Sequence, residues 1–173
     1  MKKIYFILAF VILVGAFIRL QGVFTNSFAF TYDVGRDLLT LWNMQFMHKF
    51  SLIGATTGLP GVFYGPWWYL TLFPFFVLFS GNPQWIAFLI ALFGILTIIF
   101  AYILGRKVDG VFLGLVFAAL VSVSPSLVSI SSQIWNPYLI PFFVVFVLYC
   151  LYKIYSQKQY GLRYFFFWVF FWR

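Results

Sequence analysis

Acidic residues are almost absent from this sequence of 173 residues. It contains no glutamate and only three aspartates, together with one histidine and one cysteine. A single cysteine excludes a disulfide framework and a thiolate metal site. A single histidine excludes histidine-based metal clusters and disfavours a Ser-His-Asp triad. We therefore expect neither a metal nor a cofactor.

Charged residues of either sign make up only 8% of the chain, whereas a soluble domain has about a quarter. Hydrophobic residues account for 64% and aromatic residues for 25%. This composition predicts an all-α, polytopic bundle of transmembrane helices that forms a single membrane domain over residues 1–173. The net charge of +8 should then mark cytoplasmic loops. Nucleic acid is excluded as a partner because no polar, solvated face would carry the basic residues.

Five apolar runs are long enough to cross a bilayer or to begin doing so. They cover Ile4–Leu20, Trp85–Leu104, Val111–Ile130, Pro137–Tyr152 and a last run that opens at Tyr164. The first run could instead be a cleaved signal peptide, since Val14-Gly15-Ala16 fits a small-residue cleavage site. We favour an uncleaved first helix because the run nearly reaches a full span and further spans follow.

A shorter apolar stretch, Pro66–Phe79, has about 14 residues, and its treatment decides the topology. If it spans, the basic loops "GRKVDG" and "YKIYSQKQYGLR" both lie outside, against the positive-inside rule. If it does not, both loops lie in the cytoplasm with the N-terminal lysines. We therefore predict an interfacial or re-entrant helix, held in the headgroup belt by Trp67, Trp68 and Tyr69. The chain is then a multi-pass protein of the cell membrane with a cytoplasmic N-terminus.

This topology makes residues 21–84 one outer loop with helices that lie along the membrane, and it returns Ser131–Tyr138 to the same side. An amphipathic helix is predicted after Tyr32. Its apolar stripe comprises Val34, Leu38, Leu41, Trp42, Gln45 and Phe46. The opposite side carries Asp33, Arg36, Asp37 and Thr40. We expect the helix to turn this charged edge toward water or a cavity.

Asp33 and Asp37 are the only carboxylates predicted on the outer side, so acid–base chemistry there would have to use them. Their spacing also fits a plainer interpretation, in which Asp33 caps the helix and Arg36–Asp37 is a surface ion pair. The remaining polar candidates have similar alternatives. Lys49 could bind phosphate, although Lys49 and Arg19 both fit side chains that snorkel to the interface. Asn136, which precedes a proline, fits the start of a helix.

The order of three motifs resembles membrane glycosyltransferases of the GT-C type. These motifs are "YDVGRDLLTLWNM", "GLPGVFYGPWWYLTLFPFF" and the junction "SQIWNP". Among such enzymes the chain is most similar in style to the dolichyl-phosphate-mannose protein mannosyltransferases and the bacterial lipid A aminoarabinose transferases. The resemblance runs from about Phe28 to about Phe143. In that family the first loop and the second junction lie outside, in agreement with the topology inferred from charge.

The resemblance implies an inverting transfer of a sugar from a polyprenyl-phosphate donor to an acceptor hydroxyl on a lipid, glycan or protein. The family's catalytic aspartate corresponds to Asp33, and Asp37 is the second candidate for the base. Val34 replaces the glutamate that often follows in the family. Cations that stabilise the leaving phosphate would be Arg36 and then Lys49. Substrate contacts would involve Asn136, where relatives commonly have Asp, and Trp67, Trp68 and Tyr69.

Relatives of this type have more helices and a further outer domain, so we expect the chain to be an N-terminal part of a larger transferase. Such a fragment could be inactive alone. The alternative is a non-enzymatic polytopic membrane protein, such as a transporter piece or an assembly subunit. Transporters place polar groups in broken helices at the bilayer midplane, whereas the charges here cluster in loops.

Overall fold

The computed structural model describes residues 2–157, and within them the chain is helical and has no β-strand. The predicted all-α class is therefore confirmed. The elements are α1 (Lys2–Phe24), α2 (Tyr32–Phe46), α3 (Trp67–Leu78), α4 (Pro83–Val123), α5 (Pro125–Ser131), a 3₁₀ turn (Asn136–Leu139) and α6 (Ile140–Gln157). The predicted span that opens at Tyr164 lies outside the described residues, as do the last basic residues of the preceding loop.

The helix α4 is a hairpin rather than one rod of 41 residues. Its backbone leaves the helical region at Asp109 and at Gly110, where φ is +77°, a value that glycine adopts without strain. The two arms then pack so closely that a Cβ on Gly105 would lie 2.9 Å from the Cα of Gly114. In a straight helix these two residues would be about 13 Å apart. The predicted second and third spans are thus the two arms of this hairpin.

The second arm is interrupted where the sequence predicted a continuous run to residue 130. Pro125 has no N–H and cannot continue the hydrogen-bond ladder, and Ser124 before it adopts a non-helical conformation (φ −58°, ψ 118°). The chain resumes as the short helix α5. The break frees backbone carbonyl groups on the preceding turn, inside the bundle.

The helix α1 packs lengthwise against both arms of the hairpin. A Cβ on Gly15 would lie 2.4 Å from Ile98 Cδ1 and 2.5 Å from Ser122 Oγ, so any larger residue would force these side chains to move. The Ser122 hydroxyl donates a hydrogen bond to the Val11 carbonyl at 3.0 Å. Within residues 2–157, three helices are long and apolar enough to cross a membrane, namely α1, α4 and the helix over Asn136–Ser156.

The bundle has two chemically different ends. At one end lie the start of α1 with its lysines, the α4 turn with Arg106, and the end of α6, where Tyr152 donates to the Lys107 carbonyl. At the other end Gln84 donates to the Val23 carbonyl, and Gln133 accepts from the Ala29 N–H. The described basic loops therefore share one end, as the charge argument predicted. We call the opposite end, which carries α2 and α3, the outer end.

At the outer end, α2 and α3 pack over the first turns of α4 in one apolar core. With 12 residues, α3 is too short to span comfortably, consistent with the prediction of an interfacial helix. The expected aromatic belt is only partly right. Trp67 is exposed, but Trp68 and Tyr69 are buried and face α2 instead of a headgroup layer.

Arg19 does not snorkel, contrary to the sequence interpretation, since only 1% of its surface is exposed. Its guanidinium donates to the carbonyls of Ser122 and Val121, both at 2.8 Å, and to that of Gly15 at 3.0 Å. The first two carbonyls are those freed by the break before Pro125. Arg19, on α1, thus donates hydrogen bonds to the two carbonyls that the helix break leaves unpaired. The buried arginine is stabilised in turn because the backbone supplies acceptors for it.

Replacing Arg19 with methionine should destabilise the protein, because two carbonyls would lose their donor in a region without water. We expect a loss of about 1–3 kcal/mol in the free energy of unfolding for each carbonyl. Denaturation in detergent micelles measures it. The matched control, Arg106→Met, changes an exposed arginine and should stay within about 0.5 kcal/mol of wild type. Equal effects of the two substitutions would contradict the role assigned to Arg19.

Candidate functional site

Thr31 caps the helix that carries the outer charges. Its hydroxyl oxygen accepts a hydrogen bond from the Val34 N–H at 3.4 Å, at the N-terminus of α2. Asp33 lies within the first turn, where a carboxylate interacts favourably with the helix dipole. The plainer interpretation of Asp33 as the cap is therefore wrong, and its carboxylate is available for other contacts.

The buried face of α2 differs from the predicted apolar stripe. The buried residues are Val34, Asp37, Leu41 and Met44, which recur at spacings of three and four. Asp37 belongs to this face and does not lie on an open charged edge. Part of the predicted stripe is instead exposed, including Trp42 and Phe46.

The Asp37 carboxylate is buried, with 3% of the residue exposed, and it accepts four hydrogen bonds. Trp68 Nε1 donates to Oδ2 at 2.7 Å. Oδ1 accepts from the Tyr69 hydroxyl at 3.1 Å, from Arg36 Nε at 3.0 Å and from Arg36 Nη2 at 2.9 Å. A buried carboxylate is stable only when its oxygens are paired in this way. Asp37 therefore joins α2 to α3.

Arg36 is held between both aspartates. Its Nη1 lies 2.8 Å from Asp33 Oδ1 and donates to the Thr56 hydroxyl at 2.9 Å. Burial alone would lower the pKa of the guanidinium, but the hydrogen bond and charge of Asp37 and the charge of Asp33 outweigh burial and raise the pKa. Together with the contacts to Asp37, these interactions use four of the five N–H groups, which leaves one on Nη2. With both carboxylates ionised, the trio carries a net charge of −1.

Thr56 comes from a loop that sequence reasoning described only as turn-rich. Residues 54–65 form a small backbone hairpin, in which Gly54 donates to the Tyr64 carbonyl and Tyr64 to the Ala55 carbonyl, both at 2.9 Å. A single antiparallel bridge joins Thr56 and Phe63. We call residues 54–65 the outer hairpin. Its contact with Arg36 fixes the loop on α2.

Asp33 is the accessible carboxylate of the group, since 39% of its side chain is exposed, against 4% for Asp37. The ion pair with Arg36 uses Oδ1. A cleft of about 450 Å³ opens along the first turns of α2, and Arg36, the ion-pair partner of Asp33, is one of its lining residues. The cleft is lined by Phe30, Thr31, Tyr32, Gly35, Arg36 and Leu39. The arrangement offers a solvent-accessible carboxylate paired with an arginine that lines a mostly apolar cleft.

The other predicted site residues do not join this group. Lys49 is exposed beyond the far end of α2, about 15 Å of helix rise from Arg36. Trp67 is exposed, although it directly precedes Trp68. Asn136 opens the 3₁₀ turn at the outer end, and its Oδ1 is buried without a hydrogen-bond partner.

Two contributors, Thr56 and Gln133, were missed by sequence reasoning. Gln133 accepts the Ala29 N–H at 2.7 Å and so ties the second junction to the segment that leads into α2. Neither residue belongs to a sequence motif from which its hydrogen-bond partner could be predicted. The only available signal for Thr56 was Pro60-Gly61, a turn dipeptide that predicts a reversal of the loop.

Within residues 2–157 no three His, Cys, Asp or Glu side chains come together to hold a metal ion. Comparisons of the chain with protein-family models, with curated proteins and with solved structures find no match. The fold therefore defines the class, a helical membrane bundle with a polar cluster at its outer end.

The Tyr69 phenol should make stability sensitive to alkaline pH. Burial, together with the negative charge of Asp37, raises the pKa of Tyr69 above its ordinary value of 10.0. A raised pKa means that the folded state favours the neutral donor. Its contribution is present below pH 10 and is lost as pH rises through the folded-state pKa. Unfolding of Tyr69→Phe in detergent should therefore depend less on pH above about 10 than unfolding of wild type.

Tyr64→Phe is the matched control, because Tyr64 is exposed on the outer hairpin. Tyr64→Phe should lose stability above about pH 10 to the same extent as we expect for wild type. The role of Tyr69 is contradicted if Tyr69→Phe shows the wild-type pH profile.

Proposed function

We propose that this protein is a GT-C type glycosyltransferase that transfers a sugar from a polyprenyl-phosphate donor to an acceptor hydroxyl at the outer end of the bundle. The observation that carries the proposal is the contrast between the two outer carboxylates. Asp37 is fully engaged in holding α2, α3 and Arg36 together, while Asp33 is accessible and paired with Arg36, a residue that lines a cleft. Asp37 therefore has a structural role in the site, and Asp33 is the carboxylate available to act as a base.

Asp33 acts as the general base. The acceptor oxygen attacks the anomeric carbon, its proton passes to Asp33 Oδ2, and the bond from the anomeric carbon to the phosphate oxygen breaks. The lipid phosphate leaves with that electron pair, and the configuration inverts. A base must lie within hydrogen-bond reach of the proton that it removes, and an exposed carboxylate held at its other oxygen satisfies this requirement.

Arg36 is primarily a positioning residue in this mechanism. Its one remaining N–H can meet a phosphate oxygen, but the surrounding net charge of −1 opposes a strongly bound anion. The second cation, Lys49, is exposed and would have to reach the donor from the end of α2. Asn136 and Trp67 remain proposed substrate contacts at the same end of the bundle, whereas Trp68 and Tyr69 would act on the substrate only through Asp37.

We further propose that the outer end faces the periplasmic, extracellular or lumenal side of the cell membrane and that the N-terminus is cytoplasmic. The support is the collection of the described basic loops at the other end. A donor and its membrane would then meet the protein at the level of α2.

A second candidate is a non-enzymatic membrane subunit, and one observation favours it. Four of the five Arg36 N–H groups are already engaged, so the cluster could serve as a structural brace for the outer end. The two functions differ in the importance of Asp33, which a brace needs little and a transferase cannot lack.

Asp33→Asn should abolish sugar transfer while preserving the fold. Asparagine keeps the size of the side chain and can still accept from Arg36, but it cannot take the acceptor proton. We expect a fall of about 10²–10⁴-fold in the rate. The assay uses membranes that contain the gene's complete product, supplied with polyprenyl-phosphate sugars.

Asp109→Asn is the matched control, since Asp109 is the third aspartate and lies in the α4 turn at the basic end. It should transfer at the wild-type rate. Equal transfer by wild type and Asp33→Asn would remove Asp33 from the mechanism. Failure of the folded wild type to use any lipid-linked donor would favour the non-enzymatic candidate.

A further inference from the structure

The outer hairpin, residues 54–65, satisfies much of its own backbone at the tip. Leu59, Pro60, Gly61 and Val62 form a turn closed by a hydrogen bond from the Val62 N–H to the Leu59 carbonyl at 3.2 Å, with φ of +78° at Gly61. The Thr57 hydroxyl accepts from the Leu59 N–H at 3.1 Å and donates to the Val62 carbonyl at 2.9 Å. Pro60 has no N–H to satisfy.

The outward side of this segment is apolar. Large hydrophobic side chains are exposed on the hairpin and just before it, among them Leu59 with 66% and Leu52 with 78% of their surface. Apart from Tyr64, whose side chain carries a hydroxyl, the set is Phe50, Leu52, Ile53, Leu59, Val62 and Phe63. We call these six residues the apolar tip. A soluble loop would not expose so many large apolar side chains together.

Charge is absent from the same part of the sequence. No Asp, Glu, Lys, Arg or His occurs from Phe50 to Gly105, a range that includes the hairpin, α3 and the first arm of α4. The underside of the hairpin is anchored to the protein, because Ala55 is buried and Thr56 accepts from Arg36. The free side is therefore apolar and uncharged, with a turn in which the N–H groups of Thr57, Leu59 and Val62 have internal partners.

We propose that the apolar tip inserts into the headgroup–acyl boundary of the bilayer that the bundle spans. Unpaired backbone groups can still meet water at this depth, and at the turn the N–H groups of Thr57, Leu59 and Val62 are paired internally. The candidate spans expose many large apolar side chains, so a bilayer around them is the apolar partner at hand for the hairpin at their outer end. Since Thr56 accepts a hydrogen bond from Arg36, insertion would fix the cleft that Arg36 lines relative to the lipid surface. This insertion does not depend on the transferase activity.

Spin labels at single cysteines test the proposal in the full chain reconstituted in phosphatidylcholine–phosphatidylglycerol vesicles. The background replaces the buried Cys150 with alanine. The test site is Leu59→Cys. Leu13→Cys, exposed on the middle of α1, is the hydrocarbon reference, and Asn26→Cys, exposed in the turn after α1, is the aqueous reference.

Collision with oxygen reports apolar surroundings, and collision with a water-soluble nickel chelate reports water. The oxygen-to-nickel ratio at position 59 should lie between the ratios at 13 and 26, as expected about 5–10 Å into the interface. A ratio equal to that at 26 would place the tip in water and overturn the proposal. Low accessibility to both reagents would show that protein covers the tip, which would also overturn it.

Discussion

The burial of the Asp37 carboxylate is the constraint on which the outer end depends. An ionised group on the core-facing side of α2 requires donors, and the sequence supplies them from two places, Trp68 and Tyr69 on α3 and Arg36 on α2 itself. Removing one partner from such a network costs far more than an exposed ion pair contributes. The position of α3, the orientation of Arg36 and the attachment of the outer hairpin all follow from these contacts.

The two buried charged groups of the described chain obtain their hydrogen-bond partners in different ways. Asp37 is paired with an arginine and aromatic donors, whereas Arg19 is surrounded by backbone carbonyls that a proline break exposes. Asp37 connects α2 to α3, and Arg19 connects α1 to the second arm of α4. Arg36 and Asp33 are more exposed than Asp37. The accessible part of the cluster is therefore held in place by a buried carboxylate.

Sequence patterns predicted the helical class, the grouping of the described basic loops and the short length of α3, because hydropathy and charge act over whole segments. They failed for single side chains. Asp37 was assigned to an open edge, since the pattern alone does not show that tryptophan and tyrosine donors from residues 68 and 69 would meet it. Arg19 was assigned to the interface for the same reason. Two of its three acceptors lie more than 100 residues away and are free because Pro125 breaks a distant helix.

The role of Asp33 and the transferase activity are proposals that depend on the buried contacts of Asp37. The free energy of one of those contacts can be measured directly. A double-mutant cycle between Asp37→Leu and Trp68→Phe, followed by unfolding in detergent, removes the acceptor and the donor in turn and isolates the contact between the two side chains. We predict a coupling of about 1.5–3 kcal/mol, the range for a hydrogen bond to a charged group. The parallel cycle with Trp67→Phe, the exposed neighbour, should be additive within about 0.5 kcal/mol. Additivity in both cycles would contradict the account, because Asp37 would then not hold α3 in place.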